Sequence, residues 1–201
     1  MKKLMITVCA AAMAASVWAR SAPACEFDEN PRWSPLAVSL LPGLDLPPSD
    51  FSVTGIRLGI LAGRHEDVLF LSVSTIADLV TDNVNGFQAA GFCNHVGRST
   101  GAFQAAGLVN SVGSHFTGLQ TAGLYNMVHG TMSGLSVAPF TSSRVTDGVQ
   151  IGAFNKTVDL NGVQIGVINL AESGCGGIQV GVINIMKDAK YPVMPIVNGD
   201  F

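Results

Sequence analysis

Four histidines, His65, His95, His115 and His129, are the residues of this chain best suited to bind a metal ion or move a proton. Their spacing argues against both. No ligand-spaced Cys/His set is present to hold a metal ion. His65 is followed by Glu66 and Asp67, but neighbouring side chains in an extended segment point to opposite faces. Asp78, Asp82, Asp147, Asp159 and Asp188 are scattered and form no carboxylate pair. Neither a Gly-x-Ser-x-Gly elbow nor a phosphate loop occurs. The expectation is a protein that is not an enzyme and that uses no cofactor and no metal.

What does return at a fixed interval is an amide. The block Gly148-Val149-Gln150-Ile151-Gly152-Ala153-Phe154-Asn155 recurs at 162–169 and 177–184. Copies with one extra residue after Gln precede it, built on Gln88 and Asn94, on Gln104 and Asn110, and on Gln120 and Asn126. A fourth stretch, 134–142, has Ser136 in the Gln slot and Ser142 in the Asn slot. The Asn slot then falls at 94, 110, 126, 142, 155, 169 and 184, with steps of 13 to 16 residues. Fainter copies cover 55–62, with Arg57 for Gln and Ala62 for Asn, then 70–77, with Ser72 and Ser74 in the Gln and Gly slots, and finally 191–198. A short fixed period means one structural unit stacked on copies of itself, here about ten units. The histidines sit one residue after Asn94, five after Asn110 and three after Asn126, so they line no common column.

The unit is a strand. In Gly162-Val163-Gln164-Ile165-Gly166-Val167, apolar residues alternate with Gln and Gly. Val163, Ile165 and Val167 share one face, and Gln164 and Gly166 the other. The glycines would cost a helix about 1 kcal/mol each. The extra residue of the longer copies predicts a bulge after Gln. Connectors hold nearly all the charge, including Arg98, Arg144, Asp147, Lys156, Asp159, Glu172, Lys187 and Asp188. They also carry a recurring apolar residue, Val96, Val112, Val128, Val145 and Val158. Charge confined to one phase marks a solvated corner. An all-β solenoid stacks Gln and Asn as ladders and explains the apolar connector residue. The alternative is an antiparallel outer-membrane β-barrel with Val163, Ile165 and Val167 facing lipid. A mean hydropathy of +0.39 and the terminal Phe201 favour the barrel. Short blocks, short loops and only two tyrosines, Tyr125 and Tyr191, favour the solenoid.

Residues 1–19 read as a secretory signal peptide. Met1-Lys2-Lys3 precedes the apolar run 4–15, with cleavage expected after Ala19, or alternatively after Ala24. Removing Lys2 and Lys3 takes the formal charge from −3 to −5, which gives no reason to expect nucleic-acid binding. Residues 20–54 form an extended leader, expected either to cap the first coil with Trp33, Leu40 and Leu41 or to serve as a flexible spacer. The repeat domain is 55–201. Cleavage leaves Cys25, Cys93 and Cys175. Cys93 occupies a packing slot, and a Cys25–Cys175 bridge is the expected pairing in an oxidising compartment. Asn155-Lys156-Thr157 matches a glycosylation pattern, of little weight beside a bacterial type of signal peptide.

The Gly-Val-Gln-Ile-Gly-Val-Ile-Asn blocks, with the divergent Gly-Ile-Arg-Leu-Gly copy near the start, resemble a family of bacterial exported surface-repeat proteins. The resemblance covers 55–201 and implies an exported, envelope-associated protein without an assigned activity. Function then rests on the ladder residues: Gln88, Gln104, Gln120, Gln150, Gln164 and Gln179, with Asn94, Asn110, Asn126, Asn155, Asn169 and Asn184. They are expected either to stabilise the stack or to form a flat Gln/Gly contact face. Partners open to such a face are an envelope polymer, a surface protein or a second copy of the chain.

Overall fold

The computed structural model describes residues 33–41, 44–46, 52–65 and 67–199. The signal peptide, its cleavage sites, Cys25 and Phe201 lie outside the described residues. The fold is an all-β solenoid of about nine turns, not a barrel. The barrel alternative is therefore corrected. Successive strands pair in parallel with the equivalent strand one coil away, a geometry that an up-and-down barrel cannot have.

Each coil has two faces. Val84–Ala90, Thr100–Ala106 and Phe116–Ala122 stack on the first face. Cys93–Val96 and Val109–Val112 stack on the second. Later coils are shorter, and one strand runs across both faces, as in Val149–Leu160 and Val163–Gly174. The extra residue of the long coils makes no bulge after Gln. Thr100–Ala106 pairs with its neighbours in unbroken register, and the extra residue widens the corner at Gly107-Leu108. A bulge does occur elsewhere, where long coils give way to short ones. His129 and Gly130 together stand opposite Arg144, and this absorbs the change of length in the connector.

Register corrects four slot assignments. The Asn slot is held by Thr141, which pairs with Asn126 and Asn155, and not by Ser142. It is held by Asp78, not Ala77, and by Gly63, not Ala62. Ser74 stands beside Gly59 and Ala90, so Thr75 takes the Gly-corner position in that coil. The tenth unit is not a coil. Val193–Gly199 runs antiparallel to Ile178–Met186 and places Asn198 against Gln179. At the other end Trp33–Leu41 pairs in parallel with Ser52–Gly59, and Leu44–Leu46 folds back on it. Each end strand thus covers the open backbone of the last parallel coil, the place where a stack is prone to pair with another chain. The leader caps by backbone pairing. Ala37 and Ser39 point inward, while Trp33 and Leu40 are exposed.

The interior has two strips. Near the charged corner it is apolar, with Val68, Val80, Val84 and Val96 in one cluster and Val112, Phe116, Val128 and Met132 in the next. Leu160, Ala171 and Met186 continue it toward the C-terminal end. Val96, Val112 and Val128 supply the apolar connector residue as expected, but Val145 and Val158 do not. In the shortened coils Ser143 and Thr157 take that column. Near the glycine corner the interior is amide.

Stacking also explains the glycine two residues before the Gln slot. Gly86, Gly118 and Gly134 have φ of 128°, 127° and 133°, and a Cβ on Gly134 would overlap the carbonyl oxygen of Gly118. Gly134→Ala should cost about 2 kcal/mol or more, read from denaturant unfolding. A smaller loss would mean that the corner relaxes without straining the stack.

Candidate functional site

The six glutamines lie inside the coil. All are buried, and they form two hydrogen-bonded runs. Gln104 Nε2 donates to Gln88 Oε1 at 2.7 Å, and Gln120 Nε2 donates to Gln104 Oε1 at 2.9 Å. Gln164 donates to Gln150 at 2.8 Å, and Gln179 to Gln164 at 2.9 Å. Ser136 separates the runs, because its side chain is too short to carry the ladder across.

The asparagines form a second ladder of opposite polarity. Asn94 Nδ2 donates forward to Asn110 Oδ1 and Asn110 to Asn126, each at 2.9 Å. Asn155 donates to Asn169 and Asn169 to Asn184, each at 2.8 Å. Gln amides therefore point toward the N-terminal end of the stack and Asn amides toward the C-terminal end. The second Asn hydrogen goes to the carbonyl that follows the Gln slot in the next coil, from Asn94 to Ala105 O, Asn110 to Thr121 O and Asn155 to Ile165 O. Asn94, Asn110, Asn126, Asn155 and Asn169 thereby tie the corner of the next coil, whereas Asn184, at the end of the parallel stack, donates to Gly181 O of its own coil. The second glycine of the motif makes this approach available. A Cβ on Gly166 would overlap the carbonyl oxygen of Gly152 and crowd the Asn155 amide.

Burial overturns the expected Gln/Gly contact face. The outer surface of the same strands is aliphatic, with Ile165 41% and Val167 51% exposed and Val163 half-buried. Amides go inside because a stacked copy, about 4.8 Å away, completes their hydrogen bonds. The aliphatic side chains of those positions are left outside.

Two polar clusters were not evident from the repeat. At the N-terminal end, Arg57 fills the Gln slot and Asp78 the Asn slot, both fully buried. Arg57 Nη1 is paired with Asp78 Oδ1 and donates to Ser72 Oγ at 3.2 Å, while Ser72 Oγ donates to Asp78 Oδ2. One ion pair thus replaces both amides. Nε and Nη2 of Arg57 have no hydrogen-bond partner. Farther along, Ser143, Thr146 and Thr157 form a buried hydroxyl group. The Ser143 and Thr146 oxygens are 2.6 Å apart, and Gln150 Nε2 donates to Ser143 at 3.0 Å.

The histidines are dispersed. His95 lies on the second face between Leu79 and Ser111. His115 is exposed with Nδ1 3.1 Å from Ser114 Oγ, and His129 Nδ1 donates to Val112 O at 3.2 Å. The backbone of His65 pairs with Val80. Among the described residues no three His, Cys, Asp or Glu side chains are grouped to hold a metal ion. Cys93 is buried against Ala77, with Ile76, Phe92 and Val109 beside it, and Cys175 is an exposed free thiol. Asn155 and Thr157 are fully buried, so the glycosylation pattern is inaccessible in the folded chain.

The charged corner is held by exposed pairs, Arg98 with Asp82 and Lys187 with Glu172, each at 3.2 Å. Such pairs contribute little to stability. No protein-family model matches the chain, no curated protein matches it, and no solved structure matches it. Its class is therefore set by its own geometry, a two-faced parallel β-solenoid with internal Gln and Asn ladders.

Two tests follow. Gln164→Ala leaves Gln150 Oε1 without its donor and Gln179 Nε2 with Ile185 O alone, and should cost about 2–4 kcal/mol, whereas Ile165→Ala should cost under about 1 kcal/mol. Equal losses in denaturant unfolding would contradict the assignment of inside and outside. Asp78→Asn strands the Arg57 charge and should cost about 3–5 kcal/mol, and adding Arg57→Gln should restore most of it. A double variant no more stable than the single one would show that charge pairing is not what the site provides.

Proposed function

We propose that the protein is an exported, non-enzymatic surface-repeat protein of a Gram-negative envelope, serving as a structural or binding element. The observation that carries this reading is the use made of polar side chains. Gln and Asn, which could have formed a reactive or ligand-binding surface, are taken up by coil-to-coil hydrogen bonds. The surface left to the environment is a long regular sheet. The signal-peptide pattern of residues 1–19 supplies the export part of the proposal. The resemblance to bacterial surface-repeat proteins supplies the envelope part. Partners follow from the outer surface and not from the Gln ladder.

The test is fractionation of the cells that make the protein, together with gel migration before and after boiling. The expected result is a mature chain shortened by the leader, in the envelope fraction, migrating alike heated and unheated. A full-length chain in the cytosol would overturn export. Faster migration before boiling would revive a barrel.

A further inference from the structure

The two amide slots divide each coil into halves of opposite character. From the Gln slot forward to the Asn slot, the intervening segments are 58–62, 73–77, 89–93, 105–109, 121–125, 137–140, 151–154, 165–168 and 180–183. None holds Asp, Glu, Lys, Arg, His, Asn or Gln. From the Asn slot to the next Gln slot lie the charged connectors. Each glycine corner presents an apolar residue outward, among them Ile60, Leu124, Val167 and Val182, the last 65% exposed. The opposite corner carries Asp82, Arg98, Asp147 and Glu172. The solenoid is thus a prism with one apolar edge and one charged edge.

Backbone groups at the apolar edge need no water. Gly91, Gly107 and Gly123 donate their N–H to Ser74, Ala90 and Ala106 of the preceding coil. Phe92, Leu108 and Leu124 donate to Ile76, Phe92 and Leu108. Carbonyls just after the Gln slot accept from the Asn ladder. An edge with apolar side chains, inward-facing amides and satisfied backbone can leave water at little polar cost.

Shape and charge then select the occupant. The apolar surface wraps a convex corner and continues onto both faces, where Ile165 stands on one and Ile183 on the other. A second copy of the chain is convex too and could cover only one face. A fluid hydrocarbon phase covers both. A shallow depression of about 270 Å³ interrupts the edge where Ala89, Ala105, Gly91 and Gly107 are small, and it is room for a hydrocarbon segment. The segments that form the edge carry no cation, so attraction to anionic headgroups is not part of its chemistry. We propose that this corner is a lipid-inserting ridge, which lies lengthwise in the surface of an uncharged bilayer while the charged corner stays in water.

The proposal deepens the envelope reading, but its test is made on purified protein, so export and lipid insertion can fail separately. The mature chain is floated with vesicles of phosphatidylcholine alone, at low and at high salt. The expected result is co-flotation that salt does not reduce. Val167→Glu with Val182→Glu should lower vesicle binding about tenfold or more. His115→Glu with His129→Glu, on the charged corner, should leave it unchanged. Ala153→Leu adds apolar surface to the ridge and should increase binding severalfold. It keeps the proposal testable if the acidic variant does not fold. Wild-type protein that stays at the bottom of the gradient overturns the proposal. So does binding insensitive to the ridge variants, or binding lost in salt. A dimer by light scattering, dissociated by the acidic ridge variant with no flotation, would assign the surface to a second copy instead.

Discussion

Coil-to-coil repetition of the side-chain amide is the constraint on which the rest of the structure depends. Parallel stacking sets equivalent residues about 4.8 Å apart. At that spacing a Gln or Asn side chain can donate to its copy in one neighbouring coil and accept from its copy in the other. The amide therefore belongs inside where the next coil supplies the same residue, as it does from Gln150 through Gln179 and from Asn155 through Asn184, or another polar partner, as Ser136 does for Asn126. Glycine follows from the same constraint, because amide and carbonyl approach too closely at the corner to admit a Cβ. Where the amide is lost, the interior finds another polar solution, the Arg57–Asp78 pair near one end and the Ser143–Thr146–Thr157 hydroxyls in the middle.

With the polar groups gathered inside the glycine corner, the aliphatic residues of the same strands fall outside. At the charged corner the arrangement is reversed, with Val96, Val112 and Val128 inside and the charges outside. Each corner thus has an exterior opposite in polarity to its own interior. This separation makes one edge of the molecule apolar along its length while its backbone groups remain paired from coil to coil.

Much of the fold was legible in the sequence. The period of the amides identified a stack, and the confinement of charge to connectors located one corner. Alternation also showed that Val163 and Ile165 share a face and Gln164 lies on the other. It did not show which face is inside. Ordinary hydropathy argues for valine and isoleucine within, and the decision falls the other way because stacked amides satisfy one another. The phase errors at Ala62, Ala77 and Ser142 have a single origin. Coil length changes in corners and connectors, and a weak copy does not reveal where its extra residue lies. The Arg57–Asp78 pair did leave a signal. A cation in one Gln slot and an anion in the next coil's Asn slot are complementary once the register is known.

The candidate site was legible by residue and not by role. Gln and Asn were the right side chains to single out, but as the inner joinery of the stack. The surface that meets the environment is made by the residues between them. Exchange of the side-chain amide protons with solvent deuterium, followed by NMR on the selectively labelled protein, tests this most directly. Slow exchange of the Gln104, Gln164 and Asn169 side-chain amides, comparable to that of backbone amides in the central coils, is the predicted result. Exchange as fast as that of a solvent-exposed glutamine would contradict an interior held together by amide ladders.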